Sequence, residues 1–105
     1  MSSFENVTII KEANIYFDGS VSSRTVLFPD GTRKTLGVML PGEYQFGTTS
    51  HEIMEILSGE LQVTLPGSKA PIFVKGGDVF EVPANRSFTA SVLKITDYCC
   101  SYRAV

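Results

Sequence analysis

Turn residues punctuate this chain so densely that a long helix has no room to form, and that spacing limits the fold more than any single motif does. Asp18-Gly19, Pro29-Asp30-Gly31, Pro41-Gly42, Gly59, Pro66-Gly67, Gly76-Gly77 and Pro83-Ala84-Asn85 fall between short runs rich in β-formers. Each supplies the fixed or left-handed backbone angles that a chain reversal needs. The runs are NVTII, NIYF, SVSSRTVLF, TRKTLGVML, EYQFGT, HEIMEILS, ELQVTL, PIFVK, DVFEVP, SFTASVLKI and DYCCSYR. Short strands at this spacing predict an all-β domain. Only residues 51–58 compete as a helix, and a segment so short between two turn signals does not stand alone.

With 105 residues there is space for a single domain, 1–105, able to bury its own core without disulfides or a structural metal. A formal net charge of -2 gives no electrostatic footprint for a nucleic-acid backbone or an anionic membrane, so neither is expected as a partner. No positively charged start with an apolar core opens the chain, and no apolar run is long enough to span a bilayer, so a cytoplasmic location is expected. Cys99 and Cys100 are adjacent. Neighbours on a strand point to opposite faces, so a bond between them is strained, and they are read as two reduced thiols.

Taken as a strand, residues 51–58 split into Glu52, Met54, Ile56 and Ser58 on one face and His51, Ile53, Glu55 and Leu57 on the other. Both faces carry apolar residues. A strand of that kind is covered on both sides, which predicts a second sheet or a second subunit over the outer face.

Many short antiparallel strands suit a double-sheet jelly roll, and here the sequence resembles the cupins. That family carries G-x5-H-x-H-x(3,4)-E-x6-G and G-x5-P-x-G-x2-H-x3-N; Glu52 with Gly59 fits the end of the first pattern, and Gly77 with Pro83 the start of the second. The two histidine positions of the first fall on Phe46 and Thr48, or on Gln45 and Gly47 with the longer spacing, while the second pattern's glycine is Asn85 and its histidine Phe88. Of the metal ligands the resemblance implies, only the carboxylate is in place, whereas a stable divalent site wants three or four donors. His51 lies at opposite strand parity to Glu52, so its ring points away if Glu52 points in, unless a bulge resets the parity. No metal and no other cofactor is expected.

A more specific match runs over nearly the whole chain. NIYFDGSV, KTLGVMLPGEY, EIMEILSGEL, GGDVFEVPANRSF and the tail DYCCSY are similar to the small single-domain cupins known as pyrimidine/purine nucleoside phosphorylases, the PpnP family. The resemblance implies phosphorolysis of purine and pyrimidine nucleosides, with orthophosphate as co-substrate and free base and ribose 1-phosphate as products. It also implies a homodimer, since small cupins pair through their outer sheets. The tail departs from the family pattern: Ser101 stands where an arginine is common, and Arg103 follows.

Cleaving an N-glycosidic bond this way builds positive charge on the sugar while the base leaves with negative charge. The protein must place phosphate, hold the ribose hydroxyls and stabilise the charges that develop. Glu52 is the catalytic candidate, an ionised carboxylate accepting hydrogen bonds from the ribose; the competing reading is a structural carboxylate paired with an arginine. Phe46 and Phe88, with Tyr44 at the same parity as Phe46, either stack on a base of any identity or fill the barrel. Met54 is an adaptable contact or core. Thr48 offers a hydroxyl and Asn85 an amide for substrate. Arg86, Arg33 and Lys34 are the phosphate-binding candidates, Arg86 for its place beside VPAN. Tyr98 and Tyr102 share a face with Cys100 and are expected to staple the last strand rather than close the pocket. Two other readings stand beside the phosphorylase: a non-catalytic cupin that binds a sugar or nucleoside, and a metal-dependent oxygenase or isomerase, for which the donor count is poor.

Overall fold

The computed structural model describes residues 2–103. In order the elements are β1 (Thr8–Ile9), β2 (Asn14–Tyr16), a 3-10 turn (Phe17–Gly19), β3 (Val21–Leu27), β4 (Arg33–Met39), β5 (Gly42–Gly47), β6 (His51–Thr64), β7 (Ile72–Lys75), β8 (Val79–Val82) and β9 (Ser87–Arg103). All pairings are antiparallel. The all-β expectation holds, and residues 51–58 are strand.

Two long strands organise everything else. β6 and β9 pair along most of their length, from His51↔Arg103 to Thr64↔Thr89. The first half of β6 also pairs with β8, and the last part of β9 with β4, which continues through β3 to β1 and β2. The second half of β6 pairs with β7, and the first part of β9 with β5. One sheet therefore has two ends built on the same pair of strands, and their inward residues merge into a single core that includes Val21, Met39, Ile56 and Val82 from one end and Leu61, Val63, Val74 and Val92 from the other.

The sequence reading divides at Gly59 what the structure keeps whole. Gly59 is not a turn between two strands; β6 runs through it, with register shifts from Ile56 to Leu61. Its φ is +108°, and a Cβ there would lie 2.5 Å from Thr96 Oγ1 and 2.6 Å from the Ile95 carbonyl oxygen. A glycine thus marks a bulge where two backbones approach closely. Likewise SFTASVLKI and DYCCSYR are one strand, joined through the fully buried Thr96.

The face assignment of β6 holds as far as Leu57, but Ser58, expected inward, is exposed where the register shifts begin. Met54 and Ile56 are buried, whereas Glu55 and Leu57 are exposed. Among the described residues no second sheet covers Leu57, which is exposed. Part of the outer face near β3 and β4 is covered by the segment before β1, where Phe4 meets Phe28 edge-on at 5.1 Å and the Lys34 ammonium lies over both rings.

Candidate active site

Between the two ends of the sheet the inward side chains leave a small cavity of about 120 Å³ that opens to solvent on one side. Its walls divide by chemistry. Phe46 on β5 and Phe88 on β9 form one side; they are cross-strand partners, stacked with centroids 5.3 Å apart and planes 29° from parallel. Met39 and Met54 add apolar lining, and Glu52, Thr35, Ser23, Cys100, Tyr98 and Tyr102 supply the polar groups.

Glu52 lies in the cavity because β6 alternates: Met54 and Ile56 fix the inward parity, and Glu52 pairs with Tyr102 across to β9. Burial raises its carboxyl above the ordinary carboxylate range, while the Cys100 thiol and then the Arg33 guanidinium pull it back. It has company of the right kind. The Tyr102 hydroxyl is 3.2 Å from Thr35 Oγ1, and the Arg33 guanidinium sits 3.8 Å from the centroid of the Tyr102 ring, a cation–π contact that fixes an exposed arginine on a cavity-lining ring. Burial, first of all, pushes the Cys100 thiol and the Tyr102 phenol each up to about 12, so both remain neutral hydrogen-bonding groups at physiological pH.

Not every residue singled out from the sequence reaches this cavity. Glu52, Phe46, Met54 and Phe88 line it. Tyr44 is buried beside Phe46 and donates its hydroxyl to the Leu40 carbonyl at 2.6 Å, so it supports the wall instead of forming it. Thr48 is buried too. Its hydroxyl donates to the Pro83 carbonyl at 2.7 Å and accepts from the Arg86 N–H at 3.1 Å, clasping the loop before β9 to the end of β5. Asn85 has φ 59°, a left-handed turn conformation, and is exposed. Arg33 and Arg86 are both exposed, and neither lines the cavity itself. Lys34 points the other way from Arg33, onto Phe4 and Phe28.

Tyr98 and Tyr102 correct the sequence reading in the opposite direction, since both line the cavity. Tyr98 also fastens β9 to β4. A Cβ on Gly37 would lie 2.6 Å from its Cζ and hydroxyl, so the missing side chain at Gly37 is what admits the tyrosine ring. Cys100, Thr35, Ser23 and Tyr16 were not singled out as site residues; the inward parity of Cys100 with Tyr98 and Tyr102 was the available signal. His51 falls on the outer face, where its Nε2 lies 2.7 Å from Glu81 Oε1. The donor set of a cupin metal is not assembled: Phe46, Thr48 and Phe88 occupy imidazole positions, and among the described residues no three His, Cys, Asp or Glu side chains converge.

The family model for pyrimidine/purine nucleoside phosphorylase matches residues 11–102, which takes in every wall of the cavity. The chain belongs to the pyrimidine/purine nucleoside phosphorylase family. A family member from Geobacter sulfurreducens, called pyrimidine/purine nucleoside phosphorylase, is 69% identical over 97% of this chain and 98% of its own length. The crystal structure of a DUF1255 protein from Acinetobacter sp. ADP1 superposes with a TM-score of 0.93 at 42% identity, covering 96% of this chain and 98% of that one. An RmlC-like cupin from Shewanella frigidimarina matches at a TM-score of 0.69 and 17% identity over 96% of this chain and 86% of that one, which places the fold among the cupins.

Proposed function

We propose that this nucleoside phosphorylase family member cleaves purine and pyrimidine nucleosides with orthophosphate, without a metal, to give free base and ribose 1-phosphate. The observation that carries the reading is a cavity that holds one carboxylate, Glu52, against an aromatic wall, with one guanidinium, Arg33, seated on the ring of the cavity-lining Tyr102. Those are the groups that a cationic sugar, an anionic nucleophile and a flat base require.

Glu52 accepts hydrogen bonds from the ribose hydroxyls and stabilises the positive charge that grows on the ring. Hydroxyls donating to the carboxylate favour its ionised form, so nucleoside binding lowers a pKa that burial has raised in the free protein. Arg33 is the phosphate ligand of choice among the three cations considered. Its guanidinium lies over the ring of Tyr102, which lines the cavity, and is felt by Glu52, whereas Lys34 faces the other side of the sheet and Arg86 is exposed on the loop before β9. A planar fork held on an aromatic face suits an oxyanion because its donors remain free to point outward. The stacked phenylalanines bind the base by its face, which both base classes share.

The working unit in this proposal is a cytoplasmic homodimer. Supporting it are two buried free thiols, the state that thiols keep in a reducing compartment, and the exposed outer-face residues Val38, Leu40, Leu93 and Ile95. Among the described residues no helix is long and apolar enough to cross a membrane.

The deciding experiment incubates purified protein with uridine, inosine and their relatives, with and without phosphate, in the presence of a chelator. Free base and ribose 1-phosphate are expected only where phosphate is supplied. Base release that ignores phosphate overturns the reaction class, and loss of turnover in chelator, restored by a metal, overturns the metal-independent mechanism.

A further inference from the structure

The least comfortable backbone in the molecule lies at the edge of this cavity. Phe17 and Asp18 have φ of 51° and 54°. Left-handed backbone is uncommon for any residue with a Cβ, and two in succession, one of them bulky, need something to hold them. What holds them is aromatic packing: the Phe17 ring lies 5.0 Å from that of Tyr44 and 5.5 Å from that of Phe46, the second contact edge-on at 88°. The turn is thereby pinned to the cavity's own aromatic wall.

The turn delivers its neighbour. Tyr16, the last residue of β2 and the partner of Val21 on β3, lines the cavity although 51% of it is exposed. Burial, with the phenol of Tyr102 next, raises the Tyr98 hydroxyl, and the Tyr16 phenol adds to this, which places Tyr16 beside the inner tyrosines. An aromatic surface therefore runs from Phe88 through Phe46 to Phe17, and the residue before Phe17, the half-exposed Tyr16, lines the cavity together with Glu52. A nucleoside is divided in the same way, into a flat base and a hydroxyl-bearing sugar. If the sugar meets Glu52, the base extends toward the rim.

We infer that Tyr16 is the base-facing wall of the cavity, held across its mouth by the strained Phe17–Asp18 turn, and that it grips the nucleobase by stacking. The ligand's being a nucleoside rests on the phosphorylase reading of the same site; the role of Tyr16 rests on its position. Stacking reads the π-face and not the hydrogen-bonding edge, so it serves both base classes and holds a purine, with its larger overlap, more firmly.

The test is equilibrium binding of uridine, inosine and ribose 1-phosphate to phosphate-free protein, alongside turnover with phosphate. Tyr16→Ala is expected to weaken nucleoside binding about 10-fold, the size of one lost base–aromatic stack. The loss should be larger for inosine than for uridine, and ribose 1-phosphate, which has no base, should bind as before. Tyr16→Phe should stay within about 2-fold of wild type, because the ring and not the hydroxyl carries the contact. Phe17→Ala, which leaves Tyr16 in place but removes its anchor, should weaken nucleosides in the same selective way. Thermal unfolding of each variant checks that the fold survives, as an exposed side chain allows. Unchanged nucleoside binding in Tyr16→Ala, or equal loss for ribose 1-phosphate, overturns the inference. Should wild type bind nucleosides yet release no base with phosphate, the phosphorylase reading falls and the Tyr16 assignment is decided by the binding series alone. Should wild type bind no nucleoside, both fall.

Discussion

In the proposed reaction Glu52 carries the chemistry, and its surroundings set the pH at which it would work. Its pKa in the folded protein lies above the ordinary value because it is desolvated, so the fold holds the proton over a pH window in which the unfolded chain has released it. Stability tied to this group is present below the ordinary carboxylate pKa and is lost as pH rises through the raised one. Glu52→Gln is therefore expected to melt higher than wild type near pH 7 and to lose that advantage near pH 4, while kcat/KM falls about 10²-fold or more with the lost electrostatic stabilisation. A melting curve unmoved at both pH values would show that the carboxylate is not held in a desolvated place. The acid limb of kcat/KM reports the free protein's Glu52, and Arg33 is one of the groups that lower it. Arg33→Gln should thus move that limb upward and raise the KM for phosphate, whereas Lys34→Gln, on the other face of β4, should do neither. Steady-state profiles from pH 4 to 9 make the comparison. At this scale the sequence was legible where strand parity alone decides direction: Glu52, Met54, Phe46 and Phe88 all reach the cavity. It was not legible where packing decides. Thr48 and Asn85 carry substrate-like groups, yet a loop clasp and a left-handed turn use them; Tyr98 has the parity of a site residue, but only the gap over Gly37 shows that its ring fits.

Among the elements, the bulge in β6 is what makes one strand serve both ends of the sheet. The run HEIMEILSGELQVT contains Gly59, and a glycine between two β-rich runs signals a turn as readily as a bulge. What decides between them lies on another strand, since Gly59 packs on Thr96 of β9, 37 residues away in sequence. Local pattern therefore found the strand segments and most of their ends but split β6 and β9, each of which is continuous through the register shifts between Ile56 and Leu61. The φ of +108° and the 2.5 Å approach to Thr96 Oγ1 give a direct expectation. Gly59→Ala should destabilise the protein by about 3 kcal/mol, the upper range for a side chain forced into a glycine conformation, which for a domain of this size lowers Tm by roughly 10–20 °C. Calorimetry of the two proteins under the same conditions measures it. A loss below ~0.5 kcal/mol would mean that β6 relaxes at this point and that the bulge does not fix its register.

Taken as a whole, the molecule is a cavity enclosed between the two ends of one sheet, with an outer surface that is not finished. Inward positions are well covered: Ile56, Leu61, Val63 and Val82 are completely buried. The opposite face of β4 and β9 is another matter. Val38 faces outward from β4, and the Met39↔Thr96 pair puts Leu40 one step further along, beside Ile95. Leu93 and Ile95 share the outward parity of Asp97 on β9 and are 50% and 59% exposed. Scattered apolar residues on a surface need no explanation, but neighbours on adjoining strands form a patch of the kind that marks an interface. A twofold pairing sets each patch against its own copy and leaves the cavity, on the other side of these strands, open to substrate. The patch lies on the face of β4 and β9 opposite the cavity-lining side chains Thr35, Met39, Tyr98 and Cys100, so assembly and chemistry should separate. Ile95→Glu places a charge at the centre of the patch, and if the patch is the dimer contact, light scattering should find a monomer where wild type is a dimer. That monomer should still bind nucleosides, with affinity within about 3-fold of wild type, because a rim charge far from a site shifts binding little once screened by salt. A wild type that is itself monomeric at high concentration would remove the patch from consideration, and a monomeric variant that no longer binds nucleoside would show that the second subunit supports the cavity as well as the surface.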